Sequence, residues 1–225
     1  MEINALWYSG LRSLADAVGN NDATAAANLR DLAENAGRSF RREFWNEQAR
    51  CLFDCLTPDE GGKWRPDASI RPNQIFAVSL PHSPLSPEQQ QAVVSCVKTR
   101  LLTPMGVRTL DPADSRYRGR YEGSLFERDA AYHQGTAWPW LLGAYAEAVM
   151  RVGDGSAAAR TEARDALEPI IAAMDPFAGG RAASCVGQIA EVYDGDVPQR
   201  PGGCPAQAWS ASEALRAYLL TLDQD

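Results

Sequence analysis

The sequence predicts an all-α protein, and two observations carry that expectation. Apolar residues recur at i, i+3, i+4 and i+7 along most of the chain, whereas alternating strand patterns are short and few. Helix-opening prolines stand at Pro72, Pro139 and Pro205, spaced by about 67 residues, as though one helix pair repeats.

Residues 3–18 place Leu6, Trp7, Leu11, Leu14 and Val18 on one helical face, and residues 22–45 carry Leu29, Leu32, Ala36, Phe40 and Phe44 in register. A third helix starts at Pro72. A fourth follows Ser86 and Pro87, a capping serine ahead of a first-turn proline, and carries Ala92, Val93, Cys96, Val97 and Leu101. The fifth begins near Thr136, the sixth near Gly155, and the seventh runs from Pro205 to Leu222. Loops 103–130 and 178–204 are longer than connection requires, which in a compact fold signals a working loop. One period before Pro72 lies Ala5, inside the first helix. Each odd-numbered helix therefore opens on a mixture of aromatic and polar residues: EINALWY, RPNQIF, HQGTAWPW and CPAQAW. Repeats of this kind cannot bury their apolar faces alone and must stack, as an open solenoid or a closed ring, with the charge-poor odd helices inside.

The 225 residues suffice for one large domain or two small ones. With 22 Lys+Arg against 29 Asp+Glu, the net charge of −7 gives no broad footprint for phosphate backbones, so nucleic acid is not an expected partner. No apolar run approaches the roughly 20 residues that cross a bilayer, so no membrane partner is expected either. The first residues lack the basic start and unbroken apolar stretch of a secretory signal. Five scattered cysteines, an odd number, read as reduced thiols in a cytoplasmic protein. Cys51 and Cys55 have no second pair nearby to complete four ligands, so no metal is expected.

Any one of Trp7, Trp138, Trp140 and Trp209 is at home in a core, its indole N–H finding a partner. Four equivalent positions, each beside Asn or Gln, instead suit a cleft where indoles stack on sugar rings and amides bond hydroxyls. The loop 187–209 packs Glu191, Asp194 and Asp196 into six residues. Glycoside hydrolysis needs paired carboxyls, one to protonate the leaving oxygen and one to activate water or attack. A solvated acidic turn is the plainer alternative, and a calcium loop would want further ligands than DGD supplies. His82, between Pro81 and Ser83, reads as a loop residue. With only two histidines and no nucleophile-elbow pattern, a serine triad is excluded.

The blocks EINALWY, DASIRPNQIFAVSLP, LLTPMGVRTL, YRGRYEG, AYHQGTAWPWLLG and GQIAEVYDGD followed by GCPAQAWS span residues 2–210. Through them the chain resembles the C-terminal amylo-α-1,6-glucosidase domain of glycogen debranching enzymes. The resemblance implies an (α/α)6 barrel, with 1–225 a single domain supplying only its C-terminal portion, about seven helices. It implies inverting hydrolysis of α-1,6-glucosidic branch points in glycogen-like glucans, without a cofactor. Glu191 then corresponds to the general base. Arg71, Asn73, Gln74, His133, Gln134, Trp138, Trp140, Gln207 and Trp209, with Asn4 and Trp7, correspond to the lining of the glucose pocket. The partner carboxylate of such enzymes lies ahead of the EINALWY block. The chain is therefore expected to be part of a longer enzyme, inactive alone, with a branched α-glucan and the missing N-terminal half as partners. Two other classes fit the same residues. A non-catalytic glucan-binding module would bind without turnover, and a helical-repeat interaction protein would show no affinity for maltooligosaccharides.

Overall fold

The computed structural model describes residues 1–175, 185 and 187–222. They form two compact units, Met1–Cys96 and Val97–Asp225.

The first unit opens with α1 (Glu2–Val18) and α2 (Ala23–Phe44), joined by a tight turn. Asp22 ends that turn and caps α2, its carboxylate accepting from the Ala25 N–H at 2.9 Å. Tyr8, Leu11 and Ala33 form the buried seam, with Leu29 packed against it. Gly37 lets the helices meet: a Cβ there would lie 2.9 Å from the Tyr8 ring. Two antiparallel ribbons follow, β1 (Trp45–Asn46) with β2 (Cys51–Leu52) and β3 (Leu56–Pro58) with β4 (Trp64–Pro66). A 3-10 turn, Pro72–Ile75, then runs into the one-turn helix α3 (Phe76–Ser79). Next comes α4 (Pro87–Arg100), within which the unit boundary falls, capped by a reciprocal pair in which Ser86 Oγ accepts from the Gln89 N–H and the Gln89 amide oxygen accepts from the Ser86 N–H.

In the second unit β5 (Leu102–Thr103), β6 (Gly106–Arg108), β7 (Ala137–Trp138), β8 (Val192–Tyr193) and β9 (Pro201–Gly202) make an antiparallel sheet in chain order. Between β6 and β7 stands α5 (Leu125–Tyr132), opened by a capping box of Ser124 and Glu127. Between β7 and β8 come α6 (Leu141–Val152) and α7 (Ala157–Ala172), and α8 (Ala208–Leu220) closes the unit. Most of α6 is buried, as its nearly all-round apolar sequence requires, and it packs on α7 and α8.

The expectation of an all-α chain, an (α/α)6 portion of about seven helices, is corrected by that five-stranded sheet. Its strands are two or three residues long, too short for alternation to register, and they pair across large gaps in sequence. The helix starts also shift. Pro72 opens only a 3-10 turn, while Pro139 and Pro205 precede α6 and α8 rather than lying in their first turns. On α1 the buried face is Ala5, Tyr8, Leu11 and Ala15, so Leu6, Trp7 and Leu14 are exposed. No helix among the described residues is long and apolar enough to cross a membrane.

Candidate functional site

Glu191 immediately precedes β8, where pairing with β9 fixes the backbone. The loop that turns into α8 closes over it: the Glu191 N–H donates to the Cys204 carbonyl and the Cys204 N–H donates to Glu191 Oε2, both at 2.8 Å. Gly203, at φ +69°, is required there, because a Cβ would strike Oε2. Oε1 accepts from the hydroxyl of Tyr132, the last residue of α5. Burial and the neighbouring carboxylate push the Tyr132 hydroxyl well above the usual tyrosine range, so it stays protonated and donating.

An aromatic wall runs outward from this pair. The Tyr132 ring meets Trp138 edge-on at 4.7 Å, and His133 stacks on Trp138 at 5.5 Å. Trp138 meets Trp209 at 5.8 Å, and Trp209 stacks on Trp140 at 5.4 Å. Trp138 is 5% exposed and its indole N–H donates to the Tyr132 carbonyl, so it backs the wall. Trp209, 43% exposed at the start of α8, forms its open side. Gln134 is half-buried and its carbonyl accepts from the Arg118 N–H. Half-buried Gln207 ends the preceding loop, its N–H donating to the Ile189 carbonyl.

The other two carboxylates of the loop are bound into the scaffold. Asp194 is buried between Arg120 at 3.1 Å and Arg200 at 3.4 Å and accepts from the Tyr121 N–H at 2.8 Å. Asp196 accepts from the Tyr117 hydroxyl at 2.9 Å. Of the three only Asp194 is paired with arginines among the described residues; Glu191 and Asp196 are held by neutral donors, and Glu191 alone of these two adjoins the aromatic wall. Its free lone pairs suit it to hold a water and take a proton.

The candidates of the first unit divide differently. Asn4 and exposed Trp7 line a groove of about 550 Å³ with Phe40, Phe44 and Trp64. Arg71 faces Asp54 at 3.6 Å, and Asn73 donates to Glu2 at 3.1 Å. Gln74 is buried with its amide committed to backbone, accepting from the Leu52 N–H and donating to the Arg71 carbonyl. Asp54, Cys55 and Asp67 bring three metal-ligating atoms within 4.8 Å of one another, one short of a four-ligand set. Two Asp67 bonds already go to Ser69. His82 sits in a loop beside Asp16, as expected.

Sequence reasoning missed Tyr132, Tyr121 and the Cys204 N–H. Tyr132 stands next to His133 in a quoted block, but only the fold reveals which neighbour of a motif faces the carboxylate.

A family model described as amylo-alpha-1,6-glucosidase matches residues 1–216. A glycogen debranching enzyme of Saccharomyces cerevisiae is 34% identical over 95 residues, 40% of this chain and 6% of that protein. The fold is similar to that of neutral trehalase Nth1 from Saccharomyces cerevisiae, with a TM-score of 0.62 and 17% identity over 97% of this chain and 36% of that one. It is also similar to a GH63 mannosylglycerate hydrolase from Thermus thermophilus, with a TM-score of 0.59 and 15% identity over 97% of this chain and 44% of that one. The chain thus spans less than half the length of these relatives. At such identities the two solved structures speak for the fold alone.

Proposed function

The chain belongs to the amylo-alpha-1,6-glucosidase family of glycoside hydrolases, and from that premise we propose that it hydrolyses α-1,6-glucosidic branch points of a glycogen-like glucan with Glu191 as general base. One observation carries the assignment. Asp194 is bound by two arginines and Asp196 by the Tyr117 hydroxyl of the scaffold, whereas Glu191 is held by neutral donors and adjoins the aromatic wall.

In this reading a glucose unit stacks against Trp209 and Trp140, with His133, Gln134 and Gln207 bonding its hydroxyls. Asn4, Trp7, Arg71 and Asn73 are proposed as further glucan-binding residues of the first unit, where Gln74 fixes the loop that carries Arg71. Water held on Glu191 attacks the anomeric carbon from the face opposite the bond that breaks, and Glu191 takes its proton. A second carboxyl, roughly 6.5–9.5 Å away as inversion demands, protonates the departing oxygen. The arginine-bound state of Asp194 and the scaffold bond of Asp196 argue against either as that acid. We assign it to polypeptide outside residues 1–225, the N-terminal half that acts as partner. Both compact units then belong to one glucosidase domain, since the family match spans both. Five free thiols suit a reducing cytoplasm.

The test is glucose release from a glucosyl-α-1,6-branched limit dextrin. The chain alone should release little. Joined to the N-terminal part of a debranching enzyme it should become active, and Glu191→Gln should abolish turnover while sparing glucan binding. Full activity of the joined Glu191→Gln enzyme would overturn the base assignment. Release by the chain alone would instead seat the acid within it, with exposed Asp129 on α5 and Asp67 the first to substitute.

A further inference from the structure

We propose that Tyr132 is a positioning residue for Glu191, a rigid hydroxyl that fixes the carboxylate plane and leaves one defined place for the attacking water. The inference rests on the reading of Glu191 as the base.

The two carboxylate oxygens are held by two different donors, the Tyr132 hydroxyl on Oε1 and the Cys204 N–H on Oε2. One donor would leave the carboxylate free to turn about its last torsion, whereas donors on both oxygens set its plane. A water held on a remaining lone pair then meets substrate from a constant direction, the condition for a near-attack geometry. For this the tyrosine must itself be immobile, and the structure boxes it in. Its carbonyl accepts from the Trp138 indole at 3.0 Å. Its ring is bounded by Trp138 at 4.7 Å, His133 at 4.9 Å and Tyr121 at 5.7 Å. Tyr121 is fixed in turn through its N–H to Asp194, the residue that Arg120 and Arg200 clamp. The buried ion pair thus contributes to the site through two tyrosines, without touching substrate.

The titratable groups that face the Tyr132 hydroxyl are Glu191, Tyr121 and Asp129, all acidic, with His133 beside the ring. Glu191 dominates among them, so the hydroxyl reports on the pair. In the chain as it stands, carbon-13 NMR of the tyrosine ring carbon bearing oxygen should show Tyr132 still protonated where ordinary tyrosines have ionised. In Glu191→Gln its ionisation should return toward the ordinary range. In the joined enzyme Tyr132→Phe, which keeps the ring and its packing, should lower kcat on the order of 10- to 100-fold with KM within about twofold. Tyr121→Leu removes one wall of the box and leaves the hydrogen bond, so it should lower kcat less.

Ordinary titration of Tyr132 in the unsubstituted chain, or an unchanged kcat in Tyr132→Phe while Glu191→Gln is dead, would overturn the positioning role and leave the base assignment standing. A fully active Glu191→Gln would overturn both.

Discussion

Each compact unit gathers carboxylates at a turn, and each treats them differently. In the first unit Asp54 lies near Asp67 and Glu2 with Arg71 facing it at 3.6 Å, and burial outweighs that partner, holding its carboxyl above the usual range. In the second unit Asp194 is more deeply buried yet has two arginines and a backbone N–H, while Glu191, the proposed base, has two hydrogen bonds and no cation among the described residues. The difference teaches how to read an acidic loop. A carboxylate serves the scaffold when cations and main-chain donors converge on it, and is available for catalysis when its donors orient it without neutralising it.

The sharpest way to break this comparison is to remove Asp194 and Asp54 in turn. Asp194→Ala strands Arg120 and Arg200 and frees the Tyr121 N–H, and should cost about 3–5 kcal/mol in urea denaturation. Asp54→Asn keeps the shape and relieves a desolvated charge, so it should leave stability within about 1 kcal/mol of the original. Equal losses would erase the distinction.

A second contrast sets Trp138 against Trp7, two indoles that a motif would rank alike. Trp138, 5% exposed, is a wall of the second unit's core, and Trp138→Ala should lose about 3–5 kcal/mol of stability. Trp7 is 61% exposed, and Trp7→Ala should change stability by no more than about 0.5 kcal/mol. Trp209 is the residue on which a stability-neutral loss of glucan binding should be sought. A stable, well-folded Trp138→Ala would return that indole to the open pocket.

The smallest effect is one of pH. Burial and a hydrogen bond to Asp196 push Tyr117 up to about 12, and burial with Glu191 or Glu162 pushes Tyr132 and Tyr145 up as well. Their folded values exceed the unfolded value of about 10, so the stability they contribute is whole below pH ~10 and is lost as pH rises through the folded values. Asp54, also raised, places the first unit's own loss far lower, as pH rises out of the acid range. Melting temperatures should therefore fall above pH ~10, and less steeply in Tyr117→Phe. An unchanged alkaline limb in that variant would show that Tyr117 contributes nothing to it.

By itself the sequence determined the long helices, because a 3.6-residue period and a capping residue are local properties: Asp22 before α2, Ser86 before α4 and Ser156 before α7 can each be read from their neighbours. It also exposed the family, since blocks such as AYHQGTAWPWLLG and GQIAEVYDGD carry resemblance without any knowledge of where they fold. Tertiary structure alone decided the rest. Two-residue strands acquire meaning only from partners as distant as β7 and β8. Whether Leu6 or Tyr8 is buried depended on how closely α2 could approach, a matter of one glycine and a ring. And the fates of Glu191, Asp194 and Asp196, three acids in six residues, were settled by groups that lie some 60 to 80 positions away in sequence, Tyr132, Tyr117 and Arg120. The physical reason is common to all three: hydrogen bonds and desolvation act over a few ångströms of space, and only the folded chain sets those distances.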